Sequence, residues 1–566
     1  MNSGLQRRFS SLNILAVVLA GLVAMPILGV LLNIGSDTTE IWSHLAATVL
    51  PRYVQNSLIL MAGVALATLV IGTGTAWLVA MCRFPGRGVA EWALILPFAV
   101  PAYVMAYAYT DFLQVTGPVQ TLFRDLTGLQ VRGYWFPEIR SLGGAVFLLS
   151  FAFYPYVYLT ARAAFVAQSE SVLDAARSLG ATPHQAFRRV ALPLARPALA
   201  AGVALALMET LADFGAVSHF AVQTFTTGIY RAWFSMGDRV AASQLAVILL
   251  VFVLVLLMAE RAARRQARYH QTSGRYTAQA KFVLTGWRGI TASAVCFVPV
   301  VLGFVLPAAV LIDLWLETGL SIPFGRYWEL IANTMVLAVI AGALAVVLAA
   351  LLGYVARGGG RPERAAVLIA GTGYAIPGSI IAVGVLIPLT AFDNALDGWL
   401  RSAFGVSTGL LLTGSIAALI FGYLVRFLAV ALQTVEAGLA KITPSMDAAS
   451  ASLGKSRLET LLRVHAPLLR GSLLAAFLLV MVDVMKELPA TLIMRPFNYD
   501  TLAVQAYNFA SDERLAEAAL PSLTIVLAGL VPVIVLSRLI ARSRPGTQPD
   551  TDRHTSRNGH EALFVS

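Results

Sequence analysis

About twelve apolar runs, each near the ~20 residues a membrane-crossing helix needs, constrain this 566-residue chain more than any other feature. In the first part of the chain they lie near 12–33, 57–82, 89–111, 143–166, 198–218 and 242–260. In the second part they lie near 291–312, 333–356, 365–391, 408–432, 472–494 and 519–540. Composition agrees. The chain is 58% hydrophobic and 13% charged, against roughly 25% charged in soluble domains. Its apolar content excludes disorder as a general state and argues against a soluble enzyme. Proline falls inside the third run (Pro97, Pro101) and the ninth (Pro377). Spanning helices tolerate proline where neighbours satisfy the freed carbonyls. The first run follows Arg7 and Arg8 as a signal peptide would. It has spanning length and no clear cleavage site, so it is read as a retained helix. Cys82 and Cys296 lie in or beside apolar runs and supply neither a disulfide framework nor a thiolate zinc site. The expected fold is an all-α integral membrane protein of about twelve transmembrane helices.

Basic residues set the orientation. With a cytoplasmic N-terminus and alternating helices, about 28 of the 41 Lys and Arg fall on the cytoplasmic side and about 10 outside. Arg162, Arg426 and Lys486 lie within spans. Both termini are therefore expected in the cytoplasm. The net charge of +11 is spread over many segments as topological anchors, which argues against nucleic-acid binding. The tail from 542 to 566 has the composition of a disordered end. His554 and His560 there read as solvated residues.

The second half repeats the first. A shift of 274 sets Leu179-Gly180 on Leu453-Gly454, Arg189-Val190 on Arg463-Val464, Pro193-Leu194 on Pro467-Leu468, and Arg196 on Arg470. The same shift sets Glu209 against Asp483 and Asp213 against Glu487. With small gaps, Asn56-Ser57 resembles Asn333-Thr334, and the AVPA run at 99–102 resembles AIPG at 375–378. An even number of spans per copy gives both halves one orientation, with a pseudo-twofold axis along the membrane normal. The expected organisation is a first six-helix half at 1–260, a basic cytoplasmic linker at 261–288, a second six-helix half at 289–541, and the tail.

The strongest repeated motif falls on the cytoplasmic side at 171–197 and 445–471. Small residues thin one face of a short helix, and glycine ends it or admits a partner backbone. Pro193 and Pro197 are expected to break the chain before the next span. In the first copy these residues are Asp174, Ala175, Ala176 and Gly180, then Pro193. In the second they are Ala448, Ala449 and Gly454, then Pro467, with Asp447 one position before the acidic slot. The spacing resembles the EAA loop of ABC importer permeases. That resemblance implies that each loop docks on an ATPase subunit. Three further stretches (96–124, 133–165 and 209–238) resemble the fused permeases of ferric-iron ABC importers, and the similarity runs through nearly the whole chain. Fused permeases for thiamine and for phosphonates share the layout.

The resemblance implies an inner-membrane, multi-pass permease served by two copies of an ABC ATPase and a periplasmic substrate-binding protein. It implies no cofactor on this chain and no enzymatic activity of its own, with ATP used by the partner. The Gly454-Lys455-Ser456 triplet is not a phosphate-binding loop, because Ala449 stands where that motif needs glycine. Membrane lipid is the other expected partner, and no metal site is firmly assigned.

Intramembrane acids are costly and mark functional sites. Glu209 and Asp213 share a helix face at spacing four, and Asp483 and Glu487 repeat it. These four, with Tyr103 and Tyr107, are the candidate translocation path. Ferric ion is hard and prefers oxygen donors. Thiamine, a cation, would favour acids too, whereas a phosphonate would want Arg, Lys or helix N-termini. Lys486 beside Glu487 could instead neutralise a carboxylate structurally. An ion-coupled secondary transporter of two six-helix halves is the alternative of another class.

Overall fold

The apolar runs fold into helices, whole or in pieces, because a helix satisfies its own backbone where there is no water. The computed structural model describes residues 11–35, 39–131, 133–167, 183–265, 282–319, 322–358, 360–440 and 442–542. In order, the main helices are α1 (Ser11–Leu31), α2 (Leu50–Met81), α3 (Ala102–Leu113), α4 (Leu142–Ala167), α5 (Leu192–Ala212) and α6 (Arg239–Arg265). They continue as α7 (Trp287–Thr318), α8 (Phe324–Gly358), α9 (Gly378–Phe404), α10 (Ile416–Leu439), α11 (Pro444–Ser452), α12 (Ala466–Met485) and α13 (Leu515–Arg542). Among the described residues, ten helices are long and apolar enough to span. The third expected span is instead a bent pair, Arg87–Ala99 and Ala102–Thr127, meeting at 93°. The apolar part of α1 is the shorter Ala16–Leu31.

Several expected boundaries move, each for a local reason. The third run breaks because Pro101 lacks an N–H and is extended (ψ 144°). The ninth run, 365–391, divides in the same way before α9, where Pro377 has ψ 140°. The last part of the eleventh run separates as a short helix, Pro489–Met494. The basic linker is shorter than expected on its first side, since α6 runs on to Arg265. Phe282–Val283 then pairs in parallel with Cys82–Arg83. Residues 266–281 and the tail from 543 lie outside the described residues.

Pro193 and Pro197 do not break the chain. Both sit in α5, which continues from a π-helical turn at Phe187–Ala191. Pro467 follows the matching π turn Leu461–His465, and Pro307 follows a third at Val301–Val305. Widening the preceding turn relieves the clash between a proline ring and the carbonyl behind it.

The two halves exchange their leading helices. α1 packs on α9 and on the helix Arg361–Ala370, both in the second half. α7 packs on α3 and on Arg87–Ala93 in the first half, and on α13 in its own. Glycine permits both crossings. A side chain at Gly29 would strike the backbone of Gly384, and one at Gly303 would strike Pro97 and Phe151. The repeat also extends to single hydrogen bonds. Asn56 donates to the carbonyl of Gln223 at 2.9 Å, and Asn333 donates to that of Asp500 at 3.1 Å.

Candidate functional site

α5 ends at Ala212 and α12 at Met485, and each is followed after a short break by a short helix. The first is Gly215–His219 and the second Pro489–Met494. Their free N-terminal amides have no water to meet at this depth. Asp213 accepts from the Val217 amide at 3.0 Å. Glu487 accepts from the Ala490 and Thr491 amides at 3.1 Å and from the Thr491 hydroxyl at 3.0 Å. The second acid of each i,i+4 pair is thus a helix cap as well as a wall residue. Sequence spacing alone carries no sign of this role, since the breaks after Ala212 and Met485 were not foreseen.

Between these breaks lies a cavity of about 120 Å³ at the contact of the two halves. Glu209, Asp213, Asp483, Glu487 and Tyr103 all line it. Tyr107, one turn along α3, is not in the wall; it lies behind Tyr103 with ring centroids 5.8 Å apart. Among the described residues no three His, Cys, Asp or Glu side chains converge to hold a metal ion.

The charges in the wall are arranged unequally. Arg426 on α10 binds Glu487 at 3.0 Å, with the two side chains 9% and 2% exposed. Lys486 binds Asp483 at 2.8 Å. Among the described residues no ion pair reaches Glu209 or Asp213. At the shift of 274, Ala152 stands in place of Arg426 and Ala212 in place of Lys486. Gly378 belongs to the same arrangement: a side chain there would strike both Glu487 and Arg426. Its partner in the first half is Ala102, where there is no such pair to accommodate. Arg426 is visible in the sequence as a lone arginine in an apolar span, but its partner is not.

Toward the end of the bundle that carries α11, Tyr156 and Tyr374 close the cavity, their hydroxyls 3.3 Å apart. Beyond Tyr374 opens a larger space of about 1140 Å³, lined in part by Arg261, Arg357, Arg364 and Glu436. At the opposite end, Arg140 and Glu513 form a two-pronged ion pair at 2.8 and 2.9 Å that joins the halves. The hydrogen-bonded Arg140 guanidinium holds the Glu513 carboxyl below the usual carboxylate range.

The second repeated loop is built around α11. Ala448, Ala449 and Gly454 are exposed. Gly454 takes φ +71° with open space around it, so the turn after α11 uses a conformation that glycine adopts freely. Ser456 and Glu459 then cap the next helical turn reciprocally. Asp447 faces inward. It binds Arg357 at 2.7 Å and the buried His465 at 2.6 Å. Arg357 also donates to the carbonyls of Leu439 and Ile442. This clamp ties α11 to α8 and to the start of α12, and the sequence reading missed Arg357 and His465. Asp174, Ala175, Ala176 and Gly180 lie outside the described residues. Pro193 and Pro467 lie in the helices that follow the π turns.

Residues 68–267 match the family model of binding-protein-dependent transport system inner membrane components. The chain is 26% identical to the Fe(3+)-transport system permease protein FbpB 2 of Haemophilus influenzae over 544 residues. That match covers 93% of this chain and 97% of that protein. A putative ferric transport system permease, FbpB 1 of the same organism, is 24% identical over 80% of this chain and 72% of its own length. The sulfate transport system permease CysT of Salmonella typhimurium is 34% identical over 193 residues, which is 33% of this chain and 67% of that protein. The chain belongs to the family of binding-protein-dependent transport inner membrane components. It is a multi-pass inner-membrane permease subunit of the ABC importer class, not an enzyme in its own right, and the secondary-transporter reading falls away.

Proposed function

We propose that this permease moves ferric iron into the cytoplasm, driven by ATP that partner subunits hydrolyse. The observation that carries the substrate is the extent of likeness. Similarity to the ferric permeases runs through both halves, whereas the sulfate permease matches about a third of the chain. The cavity favours the same choice. It presents Glu209 and Asp213, neither of which forms an ion pair among the described residues, whereas Asp483 and Glu487 each do. Its two cations are already held by carboxylates, so neither offers its full charge to an oxyanion such as a phosphonate. Thiamine remains compatible with the acids and is the competitor to exclude by assay.

In this reading two ATPase copies engage the loops around 171–197 and 445–471, the first carrying Asp174, Ala175, Ala176 and Gly180 in its sequence and the second Ala448, Ala449 and Gly454. A periplasmic binding protein delivers cargo at the end carrying Arg140 and Glu513. Both termini are cytoplasmic, and the large space beyond Tyr374 is the cytoplasmic vestibule. Closing of the ATPase pair would draw the loops together and part the outer side. The permease itself binds no cofactor.

The test is reconstitution of the chain with its ATPase and binding protein in proteoliposomes. ATP-dependent radioiron uptake, not competed by excess thiamine or phosphonate, is the expected result. Uptake of thiamine but not iron would overturn the substrate. Bulky residues at Gly454 should abolish copurification of the ATPase, and unchanged copurification would remove that loop from the interface.

A further inference from the structure

We infer that Tyr103, Tyr107 and His219 form a staging site through which a hard trivalent cation passes from the outer side into the acidic cavity. The inference rests on the ferric reading above. Tyr103 and Tyr107 stand four apart on one face of α3. Tyr103 is in the cavity wall. Tyr107 packs edge-on to the His219 ring at 4.9 Å between centroids. His219 ends the short helix Gly215–His219 and lies within electrostatic reach of the Arg140–Glu513 pair. The three rings therefore make a row from the outer ion pair to the carboxylates.

Two features point to a ligand. Tyr103 and Tyr107 are 5% and 1% exposed, and neither phenol oxygen has a hydrogen-bond partner among the described residues. A buried hydroxyl left unmatched is costly, and natural proteins keep few of them. The pseudo-symmetric half supplies the control. At a shift of 276 the equivalent positions in α9 are Ser379 and Val383. The same backbone is built there without either phenol, so the fold does not require them. Gly215 completes the arrangement, since a side chain there would strike Tyr103 and Leu488. It lets the helix that carries His219 lie against α3.

The chemistry suits transit. Oxygen donors match a hard trivalent ion. A phenol that binds one gives its proton to water leaving the ion's hydration shell, and regains a proton when the ion moves on. Neutral phenols leave no standing charge to trap cargo, and conduction needs sites weak enough to release what they bind. Tyr103 shares the cavity wall with Glu209 and Asp213, so the row delivers the ion to carboxylates that hold no ion-pair partner among the described residues.

The experiment uses the complete transporter in proteoliposomes, with Tyr103→Phe, Tyr107→Phe, the double variant and His219→Gln. Phenylalanine keeps each ring and removes only an unmatched hydroxyl, so the melting temperature should not fall. Ferric uptake should fall about tenfold or more in the double variant, and gallium(III) uptake should fall with it. ATP hydrolysis stimulated by the loaded binding protein should persist, which a folding defect would not allow. Wild-type uptake in the double variant would overturn the staging site while leaving the ferric reading intact. Absence of ferric uptake by the wild-type transporter would overturn both. His219→Gln tests the row without touching either phenol: unchanged uptake would remove His219 from it.

Discussion

The two halves share a backbone plan but differ in how they treat charge. In the second half every acid of the cavity has a cation, and Asp447 is locked between Arg357 and His465. In the first half neither cavity acid forms an ion pair among the described residues, Arg426 reaching Glu209 only at longer range, and the positions matching Arg426, Lys486 and His465 are Ala152, Ala212 and Ala191. Duplication supplies two scaffolds. Divergence has made one of them firm and left the other to face the cargo.

The comparison breaks most sharply at Arg426. Arg426→Met would leave Glu487 buried without its partner and should cost about 3–5 kcal/mol. A second change, Glu487→Gln, should recover part of the loss in the melting temperature of the purified protein. If Arg426→Met is neutral, the second half is not held by that pair. Next comes His465→Ala, which removes the half-buried hydrogen bond to Asp447 and should cost about 1–3 kcal/mol. Hydrogen exchange over Pro444–Ser452 should quicken, and unchanged exchange would show that the clamp does not restrain α11.

The carboxylates should separate by function rather than stability. Glu209→Gln should lower ferric uptake about tenfold, equivalent to ~1.4 kcal/mol, and Asp483→Asn should lower it less because Lys486 already holds that acid. Equal losses would mean that the halves contribute alike. The smallest effect belongs to the exposed Arg140–Glu513 pair, worth about 0–1 kcal/mol. Its pH dependence has a fixed sign. Glu513 is held below its ordinary value. The contribution is therefore present above the unfolded value of about 4.3 and lost as pH falls through the folded one. Glu513→Gln should flatten that acid limb in a melting series, and an unchanged limb would assign it to other carboxylates.

The apolar runs and the repeat were legible in the sequence because length and spacing are local quantities. The acid pairs were legible as well, because cost in a membrane singles out charged residues wherever they sit. The breaks at Asp213 and Glu487 were not, since nothing in those positions distinguishes a carboxylate that lines a wall from one that caps a helix. Pro193 and Pro197 misled for a related reason. Proline announces a missing donor, but a π turn answers it without a break. The pairing of Arg426 with Glu487 joins residues 61 apart, and the hydrogen bond between His219 Nε2 and the Thr110 hydroxyl, 3.0 Å, joins residues 109 apart. Such contacts depend on how helices cross, which no window on the chain contains.

The exchange of leading helices has a mechanical consequence. Because α1 packs on the second half and α7 packs in part on the first, a pivot of either bundle would load the other. Each carries a limb of its twin, so a tilt on one side is handed to the other as a stroke is passed between linked oars. Motion imposed at a single loop would reach both walls of the cavity together.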